Sequence, residues 1–174
     1  TYQMLFNGLK ERGLEKVWLC VSDGHKGLRN AAQKSFLGCS WQRCKVHFMR
    51  NILAHISQKE KASFAASLKA VWLQPTKKDA LQAAQTLMNQ YRDRFPQAIE
   101  VLEEGLEDAL QFLAFPCFDH RKISSTNVLE RLNREIRRRS RVVGIFPGMA
   151  AYIRLVTCYL IEYSEDWSTG KCYI

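Results

Sequence analysis

A chain of 174 residues with 47% hydrophobic content is long enough for one domain, or one domain with an insertion, and too apolar to be a disordered chain. Its net charge of +9, from 26 Lys and Arg against 17 Asp and Glu, directs attention to a polyanion, with nucleic acid ahead of an acidic membrane surface. Six cysteines at positions 20, 39, 44, 117, 158 and 172 are scattered, several in apolar runs, which suits reduced thiols in a cytoplasmic protein better than a disulfide framework. No stretch approaches the roughly 20 apolar residues of a membrane span. The first residue is Thr1 and no leader is visible, so the chain is expected to begin inside a longer protein.

In chain order, residues 2–12 read as a helix with Met4, Leu5 and Leu9 on one side, stopped by Gly13. Residues 17–21 (VWLCV) form a continuous apolar run of strand formers, as in a strand buried on both faces. It ends in Ser22-Asp23-Gly24, which puts Asp23 at a strand's carboxyl end, where open α/β sheets place their chemistry. The local alternative makes Asp23 the N-cap of a helix at 25–36. Gly38 breaks that helix. Residues 40–46 (SWQRCKV) read as a second strand and 47–57 as a helix, so the order is strand, helix, strand, helix, an α/β arrangement with parallel pairing.

Beyond residue 59 the pattern turns wholly helical. One stripe is Phe64, Leu68, Val71 and Trp72, and a second is Leu81, Ala84, Leu87, Met88 and Tyr91, ended by Pro96. A third is Ile99, Leu102, Leu106, Leu110 and Leu113, closed by Pro116. Packing is the default reading of this block, which has no titratable constellation of its own. After a basic stretch at 124–143 and a turn at 144–148, residues 149–163 read as an apolar last helix. A polar tail with Trp167 begins at 162.

The basic stretch opens with helix-start residues Ser125, Thr126 and Asn127, and Glu130 stands where a capping-box acid would stand after Asn127. Val128, Leu129, Leu132, Ile136 and Val143 make an apolar stripe. The opposite face carries Glu130, Arg134, Arg137 and Arg141, thickened by Arg131, Arg138 and Arg139. Glu130 is then either a cap for its own helix or a metal-ligand carboxylate beside guanidinium groups that grip a phosphodiester.

Three constellations could carry chemistry. Asp23 and Glu130, if brought together, would bind Mg2+ or Mn2+ with water and phosphate completing the shell. Two C-x-x-H pairs, Cys44 with His47 and Cys117 with His120, could make a zinc site, although a buried thiol and a satisfied imidazole are the commoner outcome. Arg43, Lys45 and Arg50 beside Trp41 and Phe48 could touch a nucleic-acid backbone or a stacked base, unless the two aromatics are core.

The spans SDGHKGL (22–28), WQRCKVHFMRN (41–51) and STNVLERLNREIRRRSRVVGIFP (125–147), with the tail EDWSTGKCYI (165–174), resemble the Mutator-type transposases of bacterial insertion sequences. The resemblance covers nearly the whole chain, and the third span is its most specific part. It implies a partial ribonuclease-H-like α/β fold: a partial core at 1–58, an all-helical insertion at 59–115, and C-terminal helices at 116–174 that complete the core. It implies a DDE-class enzyme with Asp23 as second acid and Glu130 as third, both metal ligands for Mg2+ or Mn2+, and Cys44 and His47 as the family's C-x-x-H motif. DNA strand cleavage and strand transfer would be the activity. Duplex DNA, at element ends and target, would be the substrate of a homodimer. Arg131, Arg134, Arg137, Arg138, Arg139, Arg141, Lys45 and Arg50 would bind DNA phosphates. The family's first acid lies upstream of anything in this sequence, so the chain alone is expected to be inactive, with a sheet edge left open. A non-catalytic nucleic-acid-binding module built on the arginine helix, or a zinc-stabilised interaction domain, are the alternatives.

Overall fold

The computed structural model describes the backbone of residues 1–169 and the side chains of residues 1–165. Contacts divide it into two compact units, Thr1–Pro116 with His120–Thr126, and Cys117–Asp119 with Asn127 onward.

The first unit is built on a short parallel sheet. Strand β1 (Leu19–Ser22) pairs with β2 (Ser40–Arg43) in the register Leu19 to Ser40 and Ser22 to Arg43. Helix α1 (Tyr2–Glu11) precedes the sheet and α2 (Lys26–Ser35) makes the crossover. The turn after α1 needs Gly13, whose φ of +97° is costly for a residue with a Cβ. Phe6, Ala31, Ala32, Phe36 and Cys39 form a small core, with Phe6 edge-on to Phe36 at 5.5 Å between ring centres.

Where the sequence suggested a strand through residue 46, β2 ends at Arg43 and helix α3 (Lys45–Ala54) begins two residues earlier than the expected 47. The cause is a change of partner at Cys44. Its N–H donates to Ser22 O at 2.6 Å, which closes the sheet, while its carbonyl accepts from Phe48 N–H at 2.9 Å, which opens the helix. The Lys45 N–H that this leaves over is taken by Ser124 O at 3.0 Å.

The helical block forms as expected: α4 (Lys61–Trp72), α5 (Lys77–Tyr91) and α6 (Pro96–Ala109), followed by a short 3-10 helix at Gln111–Ala114. Pro96 opens α6 rather than closing α5, a position that suits its fixed φ and missing N–H. The three apolar stripes converge with Phe48 and Ile52 of α3 in the main core, where Phe64, Leu68 and Leu102 are fully buried. Each such side chain is worth about 1.5–3 kcal/mol in area removed from water. One polar residue is buried with them. Gln42 of β2 donates to Ala109 O at 2.8 Å and accepts from Phe112 N–H at 2.8 Å, tying the sheet to the end of α6. A short α7 (His120–Ile123) then leads to Ser124 and Thr126.

The second unit is a pair of helices, α8 (Asn127–Val143) and α9 (Met149–Thr169), joined at Gly144 with φ of +75°. Helix α8 starts at Asn127 itself, so Glu130 lies one position beyond the expected capping-box place. Of the expected stripe, Val128, Leu132 and Ile136 are half-buried while Leu129 and Val143 are exposed. Helix α9 continues through the expected start of the polar tail at 162. The Trp167 side chain, Cys172 and the rest of the tail motif from 170 lie outside the described residues. Among those described, no helix is long and apolar enough to cross a membrane. The architecture is helix-rich with a small two-stranded sheet, compatible with α/β.

Candidate functional site

Asp23 follows β1 directly and is exposed. Its carbonyl accepts from His25 N–H at 2.8 Å and from Ser22 Oγ at 2.9 Å, and Trp41 Nε1 in turn donates to Ser22 Oγ at 2.8 Å. The backbone at the strand end is therefore pinned while the carboxylate stays in solvent. The alternative role as N-cap of α2 falls to another residue: His25 caps that helix, its Nδ1 accepting from Leu28 N–H at 3.2 Å. Asp23, Gly24, His25, Arg43, His47 and Asn51 line an open groove of about 400 Å3.

The two halves of the C-x-x-H motif face different surroundings. His47 lines the Asp23 groove. Cys44 is fully buried, and its Sγ accepts from Thr126 N–H at 3.3 Å and Thr126 Oγ1 at 3.4 Å. His120 packs edge-on to Phe112 at 5.0 Å, and Cys117 is exposed. Among the described residues no three His, Cys, Asp or Glu side chains gather as a group that could hold a metal ion.

Trp41 and Phe48 are core residues at 6% and 0% exposure, so neither offers a face to a base. Lys45 is half-buried with its ammonium 5.5 Å from the Phe112 ring centre, and burial lowers its pKa against a smaller opposing pull from Cys44. Arg50 is exposed.

In the second unit, Glu130, Asn133, Arg134, Arg137, Arg138, Arg141 and Val142 line an open groove of about 820 Å3 along α8. The i, i+4, i+7, i+11 spacing has this consequence because those positions lie on one helix face. Arg131, Arg134, Arg137 and Arg141 form no ion pair with another described residue. Arg138 and Arg139 are engaged inside the unit. Arg138 Nη2 lies 2.6 Å from Glu135 Oε1, and Arg139 Nε lies 3.2 Å from the same oxygen. Arg139 also reaches Glu162 at 3.3 Å and stacks 4.0 Å from the Tyr159 ring centre, clipping α8 to α9. These hydrogen bonds raise the pKa of both guanidinium groups. Asn133, Asn51 and His25 were not singled out from the sequence. Helical spacing from Glu130 would have found Asn133, and adjacency to Asp23 would have found His25.

Residues 1–170 match the family described as Transposase, Mutator family. The transposase for insertion sequence element IS256 in transposon Tn4001 of Staphylococcus aureus is 39% identical over 169 residues, covering 96% of this chain and 43% of the relative. The transposase for insertion sequence element ISRM5 of Rhizobium meliloti is 38% identical over 166 residues, 95% of this chain and 42% of the relative. The transposase for insertion sequence element IS1081 of Mycobacterium tuberculosis is 37% identical over 169 residues, 97% and 41% respectively. The chain thus spans less than half the length of these relatives. The resemblance carried by residues 22–28, 41–51 and 125–147 agrees with this match over nearly the full length, and the chain belongs to the Mutator family of transposases.

Proposed function

We propose that this chain is part of the catalytic region of a DDE-class transposase, in which a partial ribonuclease-H-like core with a helical insertion cuts and joins DNA strands. The observation that carries the reading is the α8 groove, where Glu130 shares one helix face with Arg134, Arg137 and Arg141, and these three arginines form no ion pair with another described residue. Guanidinium groups in a row on one helix face suit successive backbone phosphates. The carboxylate at the head of that row suits the reacting phosphodiester's metal ion.

Asp23 and Glu130 would be the metal ligands. Exposed oxygen donors in grooves lined by nitrogen cations and amides, with no sulfur, fit Mg2+ or Mn2+. A divalent ion bound there would supply activation of the attacking hydroxyl and neutralisation of the leaving oxygen. The chain's own residues hold and orient the strand: Arg134, Arg137 and Arg141 grip phosphates, and Glu135 keeps Arg139 turned toward α9. Two-metal phosphoryl transfer in this class draws on three carboxylates, of which this reading places two here. The full protein would act on duplex DNA at element ends and target, as a homodimer.

Binding of a labelled duplex by fluorescence anisotropy, across a salt series, tests the reading. Replacing Arg134, Arg137 and Arg141 together with Ala should flatten the log–log salt slope by about 2.7, at about 0.9 per phosphate contact. An unchanged slope would sink it. Mn2+ binding, followed by water-proton relaxation, should weaken in Asp23→Asn and in Glu130→Gln. Mn2+ binding that ignores both substitutions would leave a nucleic-acid-binding module without these catalytic carboxylates.

A further inference from the structure

Arg43 is held in an unusual setting at the Asp23 groove. It ends β2, and its guanidinium lies 4.4 Å from the centre of the fully buried Phe48 ring. Gly105, in the middle of α6, makes the space. A Cβ at Gly105 would overlap Arg43 Nη1 and stand 2.6 Å from Phe48 Cε2. On the other side, Nη2 is 3.4 Å from where a Cβ of Gly24 would sit, so the guanidinium passes beside the turn that carries Asp23. A glycine in mid-helix destabilises the helix relative to alanine, and this close approach is what the residue permits.

The guanidinium has no evident internal task. Burial lowers its pKa, opposed first by Asp108 and then by Glu104, so it sits partly desolvated near acids. Yet it forms no hydrogen bond or ion pair with another described residue, and Asp108 is already bonded to Arg29 at 2.7 Å. Five N–H donors in a fixed plane are thus stacked on Phe48 and, among the described residues, unspent at a groove of about 400 Å3. Planar, always-charged donors of this kind match the oxygens of a phosphodiester in a paired fashion.

We propose that Arg43 is a phosphate-binding residue of the Asp23 groove, seated by Phe48 and Gly105. This rests on the reading that the chain acts on DNA, and adds a contact on a unit other than the one that bears the arginine helix. It makes α6, part of the helical block, a builder of the site through Gly105.

The test follows arginine Nε–Hε signals by NMR while a short DNA duplex is titrated into the full chain. The Arg43 signal, assigned by its loss in Arg43→Gln, should move saturably together with signals of the α8 arginines. In Gly105→Ala the Arg43 response should disappear while the α8 response persists. Arg43→Gln should weaken duplex affinity about tenfold and lower the salt slope by about one, with its thermal unfolding transition retained as a check on folding. If the α8 signals move and that of Arg43 does not, or if Arg43→Gln binds as the parent does, the proposal is overturned and the DNA reading stands. If neither set moves, both fall.

Discussion

Glu135 precedes Arg138 and Arg139 by three and four residues, which puts all three side chains on one face of α8. Hydrogen bonds from Arg138 and then Arg139 hold its carboxyl at a pKa of about 2, below the ordinary 4.5. A depressed folded value contributes stability above the unfolded pKa and loses it as pH falls through the folded one. The Glu135 carboxyl carbon should therefore titrate by NMR with a midpoint near 2, and Arg138→Ala together with Arg139→Ala should return it toward 4.5. The stability involved is small, because the pair is exposed and solvent-screened. The spacing that commits these two arginines was present in the sequence. Gln42 is the opposite case. Nothing local marks it as buried, since its partners Ala109 and Phe112 are 67 and 70 residues away. Gln42→Ala should cost about 2–4 kcal/mol in denaturant unfolding, because it strands a buried carbonyl and a buried N–H.

At the scale of elements, the segments that follow their own periodicity were legible. The three stripes of the helical block each became a helix, because burial of one face against the shared core agrees with the pattern at every turn. The junction of β2 and α3 was not. Residues 44–46 continue a strand-like sequence, but the N–H of Lys45 and the sulfur of Cys44 are claimed by Ser124 and Thr126, some 80 residues on. A contact of that range overrides local preference and leaves no local trace. Helix α8 differs from α4, α5 and α6 in burying no residue fully. Its backbone hydrogen bonds therefore have less packing to protect them. In hydrogen exchange, the central amides of α8 should exchange well before those of α4 and α6. Equal protection would mean that α8 draws its stability from something other than packing.

At the scale of the whole molecule, the charge of +9 is unevenly deployed. Arg134, Arg137 and Arg141, with no ion pair to another described residue, line α8, one half-buried guanidinium lines the Asp23 groove, and Arg29 and Arg139 are committed to ion pairs. Net charge points to a polyanion. The family itself was readable because its motifs are long and specific. The seating of Arg43 was not, because it depends on Gly105 meeting β2 across more than 60 residues of intervening chain. A glycine inside the strong helix pattern at 101–110 was the one available signal.

The Gln42 bridge also has a consequence in time. Its two hydrogen bonds close a loop of about 70 residues, whereas β1 and β2 pair across a crossover of about 20. Closing the longer loop sacrifices more chain entropy before any contact rewards it, so the bridge should form after the folding barrier has been crossed. Removing it should then leave refolding nearly unchanged and speed unfolding. In stopped-flow traces, Gln42→Ala should move the unfolding limb of the chevron and leave the refolding limb in place. A slowed refolding limb would put the sheet and the end of α6 together in the nucleus instead.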